Sequence, residues 1–296
     1  MGIARVSVIL IGRGLARINA DAKTQRFFRL RISDAIEQMK PLSLDAGFSL
    51  TLDNEQVLFG DDVVIAETKT RARGELAAFA LDASACVPAA AIQYWMYNRI
   101  AARADALRLQ DCDAQYELTL LLPHALGAEL PKTLGHIHNA PSQNGATFPE
   151  IYEVLCGSAY FLFYHLDETK TRATFCGYVS ARAGAQIVMP PNTYHLTINA
   201  GDTPLLFADV ISTQARGLYD DVRATRGAPY YALTDGTWRR NAMFTGAAPL
   251  FECPRWRVKT NAPLYTQLVQ NPDAFDWLNE PARFWEKFSR RYDKGI

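Results

Sequence analysis

Gly135-His136-Ile137-His138 is followed, after eleven intervening residues, by Glu150-Ile151-Tyr152, and far downstream by Pro190-Pro191-Asn192-Thr193-Tyr194-His195. Three of the five histidines and a carboxylate thus fall in two short segments. Three imidazoles and a carboxylate form a ligand set for one divalent ion of borderline softness: Fe, Mn, Ni, Co or Zn. On a strand, the two rings of His-x-His project from the same face. Glu150 and Tyr152 share a face in the same way, whereas Glu153, the competing carboxylate, points to the other side. If the histidine face lines a barrel, the rings can reach one ion. Such an ion polarises a carbonyl and stabilises a developing oxyanion, and a carboxylate beside it moves a proton between neighbouring carbons.

The elements that must position these groups read as strands. Expected strands run over Phe48–Leu52, Val57–Leu58, Val63–Thr68, Gln93–Tyr97, Tyr116–Leu122, Ile151–Leu155, Ala159–His165, Thr171–Val179, Gln186–Met189, His195–Asn199 and Pro204–Ile211. Asp53-Asn54, Gly60-Asp61-Asp62, Asp167 to Lys170 and Asn199 to Asp202 supply the turns. The strands flanking Asp167 to Lys170 pair as a hairpin. Many short strands at a spacing of about 8–12 residues indicate an all-β sandwich or barrel. Helix-length periodicity is missing here, which speaks against an α/β nucleotide-binding fold. Val6–Ile11 reads as a terminal strand or arm, and Ser33 or Asp34 caps a short helix over Ala35–Met39. Ala101–Leu109 is helical or a polar loop, and Ala77–Ala91 fits no pattern. After Arg257 the pattern turns helical over Leu264–Val269, Phe275–Leu278 and Ala282–Tyr292, broken at Asn271-Pro272 and Glu280-Pro281. Phe284, Trp285 and Phe288, at helical spacing, are packing residues against the β-domain or a second subunit.

Composition narrows the function. The 296 residues carry 31 basic and 31 acidic side chains, so a chain-wide basic footprint for nucleic acid is absent. At 49% hydrophobic residues, the chain can bury a sizeable core. No window is apolar for long enough to span a bilayer, and Val6–Ile11 lacks a small-residue cleavage site. Cys86, Cys112, Cys156, Cys176 and Cys253 are scattered without a CxxC pair. They read as reduced thiols of a soluble cytoplasmic protein. His124 and His165 fit no motif and read as turn or surface histidines.

Written as patterns, the two segments are Gly-His-x-His followed by Glu150-(x6)-Gly157, and Gly184-(x5)-Pro190-x-Asn192-xx-His195-(xxx)-Asn199. They resemble the two motifs of the cupin barrel. Asn192 stands where cupins usually carry glycine, and asparagine tolerates the same left-handed turn. The glutamate comes later than in most cupins, so Asn139 to Pro149 must loop out. Within cupins the chain is similar to the archaeal-type glucose-6-phosphate isomerases. The likeness rests on Arg31-Ile32-Ser33-Asp34, the Tyr94/Tyr97 strand, Thr119 to Pro123, Thr133 to His138, Glu150-Ile151-Tyr152, Pro190 to His195, Gly201 to Pro204, Tyr219 and Pro254-Arg255-Trp256.

That resemblance implies an all-β-dominated cupin double-stranded β-helix over residues 27–258. An N-terminal arm (1–26) and a C-terminal helical extension (259–296) flank it. It implies one divalent metal ion per subunit held by His136, His138, Glu150 and His195, with Glu150, Tyr152 and His195 as the catalytic groups. It also implies a sugar-phosphate pocket formed by Tyr94, Thr119, Thr133, Gly135, Tyr152 and Tyr219. The reaction implied is the interconversion of glucose 6-phosphate and fructose 6-phosphate. The motifs place no lysine or arginine on the phosphate, and they do not separate proton transfer from a hydride shift. Two other readings keep the same ligands: a different metal-dependent cupin enzyme, such as an Fe-dependent dioxygenase or another sugar isomerase, and a sugar-binding cupin without catalysis. Pairing through strands, with the arm and the aromatic helices as material, implies a homodimer.

Overall fold

From Val63 onward, β-branched and aromatic residues gather in runs separated by turn formers, and there the chain forms long strands. The computed structural model describes residues 41–142, 145–258, 260 and 262–292, together with the backbone of a hairpin pairing Val8–Leu10 with Leu15–Arg17. The expected strand over Val6–Ile11 overlaps that hairpin. The expected helix after Ser33 and Asp34 lies outside the described residues.

The barrel strands are β1 (Val63–Ala72), β2 (Ile92–Ala102), β3 (Ala114–Leu121), β4 (Ile137–His138), β5 (Glu150–Cys156), β6 (Ser158–Leu166), β7 (Arg172–Arg182), β8 (Gln186–Met189), β9 (Tyr194–Asn199) and β10 (Leu205–Ser212). One sheet runs Arg257–Val258, β8, β5, β10, β3, β2, β1. The facing sheet carries β9, β6 and β7, with Gly246–Ala247 and Leu250–Glu252 added in parallel along β7. β4 joins β9 through the bridge between His136 and His195. The eight strands from β3 to β10 therefore divide as β8-β5-β10-β3 and β4-β9-β6-β7. This is the two-Greek-key jelly roll that cupins share, so the expected all-β cupin barrel is the fold observed.

Sheet-facing aromatics close the barrel below the motifs. Tyr152, Phe161 and Phe207 meet with ring centroids 5.0 to 6.2 Å apart. Such rings bury large apolar area and favour tilted, edge-on contact. The hairpin expected around Asp167 to Lys170 is present as β6 and β7. β1 is longer than expected, reaching Ala72 instead of Thr68. Its last residues, Lys69 to Arg71, are polar and escape a hydrophobicity reading, yet they pair in register with β2. Ala77–Ala91 contains two short 3-10 turns, Ala77–Phe79 and Ala83–Ala85. Ala101–Leu109 is divided: β2 runs to Ala102 and a short helix covers Ala106–Gln110.

The C-terminal segment forms α1 (Leu264–Gln270), a 3-10 stretch at Pro272–Leu278 and α2 (Pro281–Tyr292). Glu153 points away from Glu150, as strand alternation requires. It accepts the Leu264 N–H at 2.8 Å and so caps α1 onto the barrel. Tyr265 Oη accepts the Ala102 N–H at 2.7 Å, a second anchor to the barrel. Phe284 and Phe288 pack on Trp277 of their own extension at 5.7 and 5.1 Å. The side chain of Trp285 lies outside the described residues. Among the described residues, no helix is long and apolar enough to cross a membrane.

Candidate metal centre

Backbone pairing brings the two motifs together. His136 N–H donates to His195 O at 3.1 Å, and His195 N–H returns to His136 O at 2.9 Å. Residues exchanging both bonds lie directly opposite, with side chains on one face. His138 follows two positions on, and Glu150 opens β5 nearby. Asn192 adopts φ +60°, the left-handed turn expected where cupins carry glycine. It also ties down the inserted loop: its N–H donates to Thr147 Oγ1 at 2.7 Å and its Oδ1 accepts the Thr147 N–H at 3.0 Å. The loop then returns the Phe148 carbonyl to His138 Nδ1 at 2.9 Å.

Each ring is oriented from behind. His136 Nδ1 meets Leu134 O at 3.3 Å, His138 Nδ1 meets Phe148 O at 2.9 Å, and His195 Nδ1 meets Thr193 O at 3.0 Å. A carbonyl only accepts, so each Nδ1 carries the proton and each Nε2 presents a lone pair inward. The Nε2 atoms of His136 and His138 stand 3.1 Å apart. Glu150 Oε2 lies 3.2 Å from His195 Nε2 and 3.6 Å from His138 Nε2. One ligand atom from each of the four residues falls within 4.8 Å of all the others. Lone pairs facing one another at these distances repel unless a cation lies among them, so this donor set fits a metal. Burial holds the imidazoles neutral: it lowers His136 to about 3 and His195 to about 4, and takes His138 well below its ordinary value. They can therefore donate a lone pair far below pH 6.5. Burial raises Glu150 to about 8, opposed by the Tyr152 hydroxyl, which donates to Oε2 at 2.5 Å.

The centre opens into a cavity of ≈ 820 Å³. Tyr94, Thr119, Thr133, Tyr152 and Tyr219 line it. Tyr219 lies with its ring 5.5 Å from His136. The Thr133 hydroxyl is partly engaged, accepting the Thr197 N–H at 3.1 Å. Gly135 sits behind the histidines, where an added Cβ would meet Val222 Cγ1 at 3.4 Å. Tyr97 turns the other way and packs on Phe59. His124 is exposed and paired with Glu55 at 3.0 Å, as a surface histidine should be. His165 departs from a surface reading, since it is half-buried against the Thr193 hydroxyl at 3.2 Å.

The motif reading missed several charged groups of the cavity wall. Lys69 and Arg71, on the extended end of β1, line the same cavity. Arg71 donates to Glu75 at 2.6 Å, while its buried Nε has no hydrogen-bond partner. Glu117 and Asp209 also line the wall. Glu117 is half-buried in that wall, and burial followed by the Asp209 carboxyl raises its carboxyl to about 8. Its folded value is above the ordinary 4.5, so the stability linked to it is complete below that pH and lost as pH rises towards 8. In metal-free protein, Glu117→Gln is therefore expected to raise the thermal midpoint by several degrees at pH 8 and hardly at all at pH 4.5. Melting curves at both pH values check this, and equal shifts would contradict it.

Residues 71–247 match the profile of the glucose-6-phosphate isomerase family. The chain belongs to that family. Among its relatives is the glucose-6-phosphate isomerase of Pyrococcus abyssi, 25% identical over 145 residues. The aligned stretch covers 49% of this chain and 66% of that protein, just under two thirds of its length. The Thermococcus onnurineus glucose-6-phosphate isomerase is 24% identical over 149 residues, 50% of this chain and 68% of that one. Among solved structures, Bacillus subtilis oxalate decarboxylase superposes at TM-score 0.30 with 19% identity, over 43% of this chain and 28% of that one. The family match begins at Arg71 and so includes the last residues of β1 along with both motifs.

Proposed function

We propose that this family member is a metal-dependent aldose–ketose isomerase that interconverts glucose 6-phosphate and fructose 6-phosphate. One observation carries the reading: His136, His138 and Glu150 of the four-residue cluster line the same cavity as the cationic and hydroxyl groups of Arg71, Lys69, Tyr94 and Thr119. A divalent cation held by His136, His138, Glu150 and His195 supplies Lewis acidity at the carbonyl end of the sugar. Glu150 carries a proton between C1 and C2, and the Tyr152 hydroxyl fixes the orientation of its carboxylate. His195 faces the same point from β9. At the far end, Arg71, with its unpartnered Nε, and the tyrosine and threonine hydroxyls hold the phosphate. The protein works in the cytoplasm as a homodimer, which sedimentation at micromolar concentration tests.

The deciding experiment measures fructose 6-phosphate turnover with elemental analysis, before and after a chelator. Turnover that falls on chelation and returns with added Fe, Mn, Ni, Co or Zn supports the proposal. Metal-replete protein that turns over no hexose phosphate would sink it. For the phosphate end, Arg71→Ala is expected to raise KM for fructose 6-phosphate about tenfold or more, the loss typical of a hydrogen bond to a charged group. Steady-state kinetics check this, and kcat should change little. An unchanged KM would remove Arg71 from the phosphate site.

A further inference from the structure

Asp209 and Glu117 take no part in the reaction derived above. In the barrel register Glu117 lies opposite Asp209, and Asp209 lies opposite Tyr152. Directly opposed residues share a face, so these three form one row across the cavity wall. The neighbouring rows give it an address. On one side, Gln115, Ile211 and Glu150 lie in register and carry a ligand of the metal centre. On the other side come the row of Lys69, Met96 and Thr119 and then the row of Arg71 and Tyr94. The carboxyl row therefore stands between the metal end and the phosphate end.

Asp209 is 5% exposed and its carboxyl lies against that of Glu150, which leaves Oδ2 without a hydrogen-bond partner. Buried polar atoms are normally paired, and an unpaired one in a cavity wall marks the place of a ligand atom. Glu117 is held by a relay: Gln115 donates to its Oε1 at 2.5 Å, and the Arg99 Nε–H donates to Gln115 Oε1 at 3.0 Å. Arg99 adopts φ +54°, a costly conformation for a side chain of its size and one that clusters at functional sites. A second cation is a poor fit to this row. Among the described residues, the group able to converge on an ion is His136, His138, Glu150 and His195.

The geometry points to a polyol-reading row: Asp209, with Glu117 beside it, accepts hydrogen bonds from the hydroxyls of the sugar phosphate between its reacting carbons and its phosphate. This rests on the isomerase reading, because that reading sets the two ends of the bound sugar. It makes the row a determinant of specificity, since a site built to bond a hydroxyl rejects analogues that lack it.

The test uses metal-loaded protein and glucitol 6-phosphate, a polyol phosphate with no carbonyl to isomerise. Asp209→Ala is expected to weaken glucitol 6-phosphate about tenfold or more. Affinity for inorganic phosphate and bound metal should stay unchanged, and the loss in fructose 6-phosphate turnover should appear in KM. Asp209→Asn, of the same shape, guards against a folding failure and loses affinity in the same direction. Affinity for glucitol 6-phosphate that ignores both changes overturns the inference. So does loss of metal with polyol affinity per loaded site intact, since that makes Asp209 a support for Glu150. Wild-type turnover with binding indifferent to Asp209 removes this inference alone. Absent turnover with Asp209-dependent binding removes the isomerase reading alone, and wild type that neither binds nor turns over removes both.

Discussion

His138→Ala lowers fructose 6-phosphate turnover by more than about a hundredfold, the upper end of what loss of an outer-shell partner costs a metal site. The ring is 4% exposed, donates from Nδ1 to Phe148 O at 2.9 Å, and places Nε2 3.1 Å from His136 Nε2. Alanine removes one donor and leaves a water-sized gap among the others. Wild-type protein should carry about one metal per chain and gain several degrees of thermal midpoint on loading, because a ligand bound only by the folded state stabilises it. The variant should lose both. His165→Ala is the control: its contact is the Thr193 hydroxyl at 3.2 Å, outside the cluster, so metal content should hold. A His138→Ala protein with a full complement of metal and an intact midpoint shift would end the ligand assignment. The inserted loop supports the same ligand from behind. Shortening residues 140–146 so that Phe148 O no longer meets His138 should weaken metal binding about 10–100-fold.

Much of this was legible because the informative signals are local. Turn residues and the β-rich runs between them mark β5, β6, β8, β9 and β10 within one position, while β7 runs three residues past its expected end, to Arg182. Asn192 at φ +60° shows how a residue type reports backbone conformation before any coordinate does. Glu150 could be separated from Glu153 by parity alone, and Glu153 indeed caps α1 instead. The unread parts depend on long-range pairing. Lys69 and Arg71 continue the alternation of β1, but nothing local says that this polar strand end lies along β2 and faces the histidines. The 3-10 turns at Ala77–Phe79 and Ala83–Ala85 carry no periodicity at all. Asp209 sits in Leu205–Ser212, an otherwise apolar run where a lone acid reads as an interruption. Only its register opposite Glu117 and Tyr152 shows that it belongs to a polar row.

Glu150→Gln separates the two chemical routes left open by the motifs. The residue is 5% exposed, and glutamine matches its shape, so the fold should hold. Three imidazoles remain for the metal, which should stay bound more weakly. The amide cannot accept a proton at C1 or C2. If Glu150 moves the proton, kcat should fall about 10²–10⁴-fold, the usual worth of general acid–base catalysis, with KM little changed. The wild-type reaction in D₂O supplies the second readout. A carboxylate in a cavity reached by solvent exchanges its proton, so deuterium should enter the product at the carbon that receives it. A hydride shift keeps hydrogen on the sugar and leaves the product unlabelled. Retained kcat in a metal-loaded Glu150→Gln protein, together with unlabelled product, would assign Glu150 to holding the metal alone. The Tyr152 hydroxyl at 2.5 Å from Oε2 makes an intermediate result interpretable. Tyr152→Phe frees that oxygen, and it should lower kcat less than Glu150→Gln because the carboxylate itself survives.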